Sequence, residues 1–220
     1  MANVAIIALL NLLSGVVAFL ISYYSYKNNR LVGSILLRYI SVGFLILGVS
    51  LVLQAGTERV VGLTPVEAFR TRGLEFLAFL LYNALQLIAY GIFAWGYGLS
   101  AFVRKQAPAG AAVPSLILSS PGKYLASALL TLAIYVASQI GVVVLLMIIV
   151  AQGVRVFSHS RSNLALMVLF GFALIFGGHL LMLAGVLASG GVVFLIGTIV
   201  EFCGFLGLLF FLVWSGRVVK

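Results

Sequence analysis

Residues 163–187 read NLALMVLFGFALIFGGHLLMLAGVL, a stretch with one titratable side chain, His179. As an α-helix, its 25 residues cover about 37 Å, more than the roughly 30 Å hydrocarbon core of a bilayer. The stretch is apolar all round, without the in/out alternation of a membrane β-strand, so a spanning helix is the form that satisfies its backbone. Working outward, five more runs of this kind are found, and the six lie at about 4–26, 31–55, 73–103, 124–154, 163–187 and 191–213. The expected fold is therefore an all-α membrane protein, a six-transmembrane-helix bundle in a single transmembrane domain.

Composition agrees. Of 220 residues 64% are hydrophobic and 8% charged, against about 45–50% and about 25% in soluble domains. The mean hydropathy is +1.26. A soluble domain, a disordered tail and a disulfide scaffold are excluded. The net charge of +9 comes from thirteen Lys and Arg, scattered singly or in pairs between the apolar runs. That pattern fits headgroup anchoring, not a nucleic-acid stripe. The first run lacks a basic leader, which reads as a retained helix.

Two segments break the apolar pattern. In the polar loop 57–72, Thr64-Pro65-Val66-Glu67 forms a capping box that predicts a short helix from Pro65. The second, 104–123, carries Pro108, Pro114 and Pro121. With six alternating passes and both termini cytoplasmic, that side holds Arg59, Arg70, Arg72, Arg155, Arg161, Arg217 and Lys220. The opposite side then holds Lys27, Arg30, Arg104, Lys105 and Lys123. Seven against five leans towards N-in and C-in in a cell membrane.

The halves share a pattern. Residues 44–56, FLILGVSLVLQAG, match residues 173–185, ALIFGGHLLMLAG, at six of thirteen positions, among them Gly48/Gly177. Both are preceded by an aromatic residue and a basic turn, Tyr26…Arg30 and Phe157…Arg161. Chance similarity of Leu- and Gly-rich helices gives such matches too. If the match is a duplication, three alternating passes per unit imply inverted repeats, a layout of small transporters.

Ionisable or amide groups inside apolar runs each ask for a reason, since burying them costs a few kcal/mol or more. Arg38, near the start of the second run, either snorkels to the interface or pairs with a carboxylate. Glu201 sits in the middle of the last run. Three roles are open to it: a pair with Arg38, an interhelical hydrogen bond as the neutral acid, or proton or cation handling. His179 follows two glycines, and its options are a packing hydrogen bond, a haem or quinone contact, or a proton relay. A second histidine for haem is poorly placed, since His159 lies in a polar turn. Asn83 and Gln86 share a face of the third run with Tyr82 nearby, and Gln139 adds an amide in the fourth. Such amides most often join helices, and they can also line a ligand cavity.

Several chemistries are closed. The four acidic residues are Glu58, Glu67, Glu75 and Glu201, with no Asp and a single Cys203. No metal-ligand cluster, Walker sequence, Gly-x-Ser-x-Gly or His-Glu-x-x-His is present. No catalytic residue is assigned, no metal site is expected, and the cofactor is left open.

The hairpin formed by Tyr26-Lys27-Asn28-Asn29-Arg30 and Gly43-Phe44-Leu45-Ile46-Leu47-Gly48 resembles small archaeal multi-pass proteins and the membrane portions of some sensor proteins, a similarity that implies no residue roles. The expected function is a non-catalytic sensor, scaffold or complex subunit that binds lipid and partner helices, in a homo-oligomer or a larger membrane complex. The alternatives are a small transporter or channel, and a redox subunit touching haem or quinone through His179.

Overall fold

The computed structural model describes residues 2–61, 73–102, 125–161, 163–188 and 190–218. Among them are six helices: α1 (Ala2–Val32), α2 (Ile35–Val61), α3 (Gly73–Phe102), α4 (Leu125–Ser160), α5 (Asn163–Leu187) and α6 (Gly191–Val218). Each contains an apolar span of 22 residues or more, enough to cross a bilayer. The described residues contain no strand. The capping box at Thr64–Glu67 and the proline segment lie outside the described residues.

Helix ends differ from the sequence expectation, because polar residues continue several helices past their apolar runs. Lys27–Arg30, expected as a closing turn, form the last turns of α1, and the chain reverses at Gly33. Gly33 takes the left-handed conformation (φ 67°), and its N–H donates to Asn29 O at 2.7 Å, a C-terminal cap that suits glycine. Thr57–Val61 extend α2 beyond the expected end at residue 55. At the end of α4, Arg161 repeats the α1 cap: φ is 45° and its N–H donates to Phe157 O at 2.8 Å. The two turns of the matched segments thus close in the same way.

The helices form a ring in chain order, each packed on the next, with α6 closing on α1. The seam between α1 and α2 is built from small residues. Ser22 Oγ donates to Ser41 O (2.8 Å) and Ser41 Oγ to Ser22 O (3.0 Å). One heptad away, a Cβ on Gly15 would lie 3.3 Å from Gly48 O. Between α5 and α6 the backbones come closer still. A Cβ on Gly178 would lie 2.8 Å from both Gly197 O and Glu201 N, and one on Gly204 would lie 2.9 Å from Gly171 O. Only hydrogen fits there, which allows dispersion and Cα–H···O contacts along the seam.

The direction of each helix follows from which residues meet. Numbers climb on one helix and fall on its neighbour for α1–α2, for α2–α3 (Ser50 on Tyr82, Tyr39 on Gly96), for α4–α5 (Gln139 on His179, Gly153 on Leu169) and for α5–α6. The α3–α4 pair behaves differently. Phe79 meets Tyr135, Asn83 meets Ser138, Leu87 meets Gly141, and Gly98 meets Gln152. These numbers climb together, so α3 and α4 run parallel. In agreement, Asn28 Nδ2 near the end of α1 donates to Leu212 O (3.2 Å) near the end of α6.

Two expectations are corrected by this geometry. The halves α1–α3 and α4–α6 run in the same direction, so any repeat is parallel, related by an axis along the membrane normal, and not inverted. Helix α1 begins at one end of the bundle, the N-terminal end, and α6 finishes at the other, the C-terminal end. Both termini on one side, as N-in and C-in requires, do not fit. The inverted reading assumed strict alternation across the stretch between α3 and α4, whose residues 103–124 are not among those described.

The centre of the ring is filled by aromatic side chains. Phe44 stacks against Phe93 (4.7 Å between centroids), Phe172 (6.3 Å) and Phe205 (6.1 Å), and Tyr97 meets Phe172 edge-on (5.7 Å). The plug draws on α2, α3, α5 and α6.

Candidate functional site

The site is built where the α5–α6 glycine seam brings two titratable residues together. Gly178 lets α5 press onto α6 at Gly197 and Glu201. His179, the next residue, is thereby held with Nε2 3.3 Å from Glu201 Oε1. Neither residue is accessible: His179 is 0% exposed and Glu201 3%. Glu201 lies close to the middle of the α6 apolar span, Gly191–Trp214, which puts the pair at the depth of the bilayer centre.

Two more helices complete the surroundings of the imidazole. Gln139 Oε1 on α4 stands 3.0 Å from His179 Nδ1. Tyr90 on α3, 0% exposed, places its hydroxyl 3.1 Å from Nε2. A carbonyl oxygen only accepts, so with this amide orientation Nδ1 carries a hydrogen and donates to Gln139. Neutral His179 then accepts the Tyr90 O–H at Nε2, whereas imidazolium donates from Nε2 towards the Glu201 carboxylate. The one nitrogen that gains or loses a proton is the one facing Glu201. Glu201 Oε1 has no hydrogen-bond partner among the described residues, and it faces His179 Nε2 at 3.3 Å.

Of the candidates from the sequence, His179, Glu201 and Gln139 therefore converge. Asn83 belongs to the adjoining layer: its Oδ1 accepts from Ser138 Oγ (2.6 Å), one position before Gln139, and its Nδ2 donates to Phe79 O (2.8 Å). Gln86 is buried on α3, between Asn83 and Tyr90. Arg38 stands apart. It is exposed on the outer surface near the start of α2, so the expected pair with Glu201 is replaced by the His179 pair. His159 is exposed too, with Nδ1 3.0 Å from Arg155 O.

Tyr90 was not singled out in the sequence. A tyrosine in the interior of an apolar run, away from the interfacial belt, was a usable signal, since a buried phenol needs a partner. The glycine heptads 171/178/185 and 190/197/204 were equally readable, and they fix which faces of α5 and α6 meet.

Chemically the cluster is an acid–base pair, an imidazole and a carboxyl sharing a short line of approach, with one phenol and one amide to orient the ring. Both imidazole nitrogens are engaged by side chains, Nδ1 by Gln139 and Nε2 by Tyr90 and Glu201. Among the described residues no group of three His, Cys, Asp or Glu could hold a metal ion. No family model, no curated protein and no solved structure matches the chain.

Proposed function

We propose that the protein is a small proton-coupled membrane carrier in which His179 and Glu201 take up and release the coupling proton. The observation that carries this reading is the buried acid–base pair itself, near the middle of the apolar spans of α5 and α6, oriented by Gln139 of the same half and joined by Tyr90 to the other half of the ring. A ring of this size does not need such a pair to fold. Two well-packed apolar residues would serve as well or better, since desolvating an acid and a base is costly. Carriers built from repeats place their ion and substrate sites at this depth, on the boundary between halves, and ionisable groups there commonly form proton relays. The like direction of the halves favours carriers with parallel repeats over those with inverted ones.

The sidedness of the bundle supports a definite orientation. Helix segments at the C-terminal end bring Lys27, Arg30, Arg38, Arg155, Arg161 and Arg217, while those at the N-terminal end bring Arg59 with Glu58 and Glu75. By the positive-inside tendency the C-terminal end faces the cytoplasm and the N-terminal end faces out.

The test is proton flux in proteoliposomes under an imposed pH gradient. Wild-type protein is expected to dissipate the gradient, and Glu201→Gln to lose that activity while keeping its helical content and elution volume. Wild-type vesicles as tight as empty ones, with candidate co-substrates supplied on either side, would reject the carrier reading.

A second reading, a non-catalytic subunit of a membrane complex or homo-oligomer, is favoured by the outer surface. An apolar groove of about 370 Å³ runs between α5 and α6, lined by Leu166, Met167, Phe170, Gly207, Phe210 and Phe211. Phe170 and Phe210 are largely exposed on either side of this groove. Co-purification of a stable partner, with no flux, would move the assignment to this reading.

A further inference from the structure

We infer that in this conformation of the protein the His179–Glu201 pair exchanges its proton with the N-terminal end alone, through the hydrogen-bonding core between the pair and that end, as one state of a carrier cycle would. The inference rests on the pair being a proton-exchanging centre, but not on transport.

The two directions out of the site differ in chemistry. Towards the N-terminal end lie Tyr82, Asn83 and Gln86, which precede Tyr90 on α3, and Thr198, which precedes Glu201 on α6; all are buried. Ser50 Oγ on α2 donates to Tyr82 O (2.9 Å), and Asn83 takes the Ser138 hydroxyl of α4, beside Gln139. Asn11, Ser14 and Gln54 on α1 and α2 are buried in the same half. Hydroxyls and amides from five helices, α1 to α4 and α6, therefore occupy the interior on this side. Such groups accept from and donate to water, and the hydroxyls among them can pass a proton on by rotation. Asn83 is seven residues before Tyr90, so the core reaches about 10 Å from the pair along α3.

Towards the C-terminal end the chain sets aromatic rings. Phe93 and Tyr97 follow Tyr90 on α3, Phe172 precedes His179 on α5, and Phe205 follows Glu201 on α6. They close on Phe44, with centroid separations of 4.7–6.3 Å across Phe93, Phe172 and Phe205. Tyr90 itself touches Phe93 (5.9 Å), so this barrier starts at the edge of the site. Buried Ser22, Ser25, Asn28, Asn29 and Ser41 also lie towards this end, on α1 and α2 beyond Phe44, so the phenyl rings, which offer water no hydrogen bonds, stand between them and the pair.

The titratable environment of the pair is simple. Tyr90 faces it from α3 and Gln139 from α4. Among the described side chains, none of those buried on α1 and α2 is titratable or charged. Among the described residues the other buried phenols are Tyr82 and Tyr135 towards the N-terminal end and Tyr97 towards the C-terminal end.

The test follows Glu201 directly. Full-length protein labelled with ¹³C-glutamate is reconstituted in one orientation, and the Glu201 carboxyl band is assigned by its loss in Glu201→Gln. A pH step is then applied on one face at a time. A step at the N-terminal end is expected to shift the band about tenfold faster than the same step at the C-terminal end. Asn83→Leu, which removes an amide from the polar core, should slow the fast response by about tenfold and leave the end point unchanged. Phe172→Ala, if it folds, should make the two faces respond alike. Equal rates from both faces in the wild type, a faster response from the C-terminal end, no response from either, or an Asn83→Leu protein as fast as wild type would each overturn the inference. A protein without flux whose Glu201 titrates from the N-terminal end supports it while rejecting the carrier reading.

Discussion

His179 is held by side chains from three other helices, and its two nitrogens have separable roles. Nδ1 donates to Gln139 and fixes the ring, and Nε2 faces Tyr90 and Glu201. Gln139→Leu would strand a buried N–H, at a cost of about 1–3 kcal/mol in unfolding experiments, whereas Tyr90→Phe removes one neutral hydrogen bond and should cost about 1 kcal/mol. Removing one member of the pair, as in His179→Leu, leaves a buried carboxyl alone and should cost about 3–5 kcal/mol. The double variant His179→Leu with Glu201→Leu should recover most of that loss and remain inactive in flux. Thermal unfolding in micelles checks the series. A double variant as unstable as the worse single one would mean that the fold depends on the pair. At this scale the sequence exposed the anomalous residues but not their partners. Glu201 in an apolar run was visible, yet charge alone nominated Arg38, the cation nearest in kind. The true partner lies 22 positions earlier, and only the glycine contact beside it decides the match.

Each helix was legible as an apolar run long enough to span, and six were counted correctly. Their ends were less legible, because polar residues such as Lys27–Arg30 extend a helix wherever their side chains find partners. Asn28 does so by donating to Leu212 O. The seams separate two neighbouring glycines sharply. A Cβ on Gly177 meets nothing within 4 Å, while one on Gly178 would press on α6 backbone at 2.8 Å. Gly177→Ala should therefore be neutral or stabilising by up to about 1 kcal/mol through helix propensity. Gly178→Ala should cost about 1–3 kcal/mol and pull His179 from Glu201. Unfolding curves for the two proteins check this, and equal stabilities would contradict the seam. The sequence match equated Gly177 with Gly48, but Gly48 lies in the α1–α2 seam, where a Cβ would meet Phe19 at 2.8 Å. These two positions therefore do different work even though the turns behind them match. At one of those turns, Arg161 occupies a conformation that disfavours side chains. Arg161→Gly should relieve about 1 kcal/mol of strain, seen as a raised midpoint.

On the scale of the molecule the decisive property is the like direction of the two halves. It gathers the basic helix ends on one face, and leaves polar core and aromatic plug on opposite sides of the His179–Glu201 pair. Sequence alone could not reach it, because alternation of passes is the natural assumption and the choice is made across residues 103–124, whose charges, Arg104, Lys105 and Lys123, flank a long uncharged stretch. The charge count changes accordingly. Under alternation it was nearly balanced, whereas with parallel halves the basic residues of the described helices fall mostly at one end. The most direct test is cysteine labelling at two exposed positions, Leu31 in the last turn of α1 and Ser158 in the last turn of α4. Leu31→Cys and Ser158→Cys, each in a Cys203→Ser background, are treated with a membrane-impermeant maleimide on intact cells and on inverted vesicles. The account predicts that both label from the same side, the cytoplasmic one. Labelling from opposite sides would mean that the six helices simply alternate, and would contradict it.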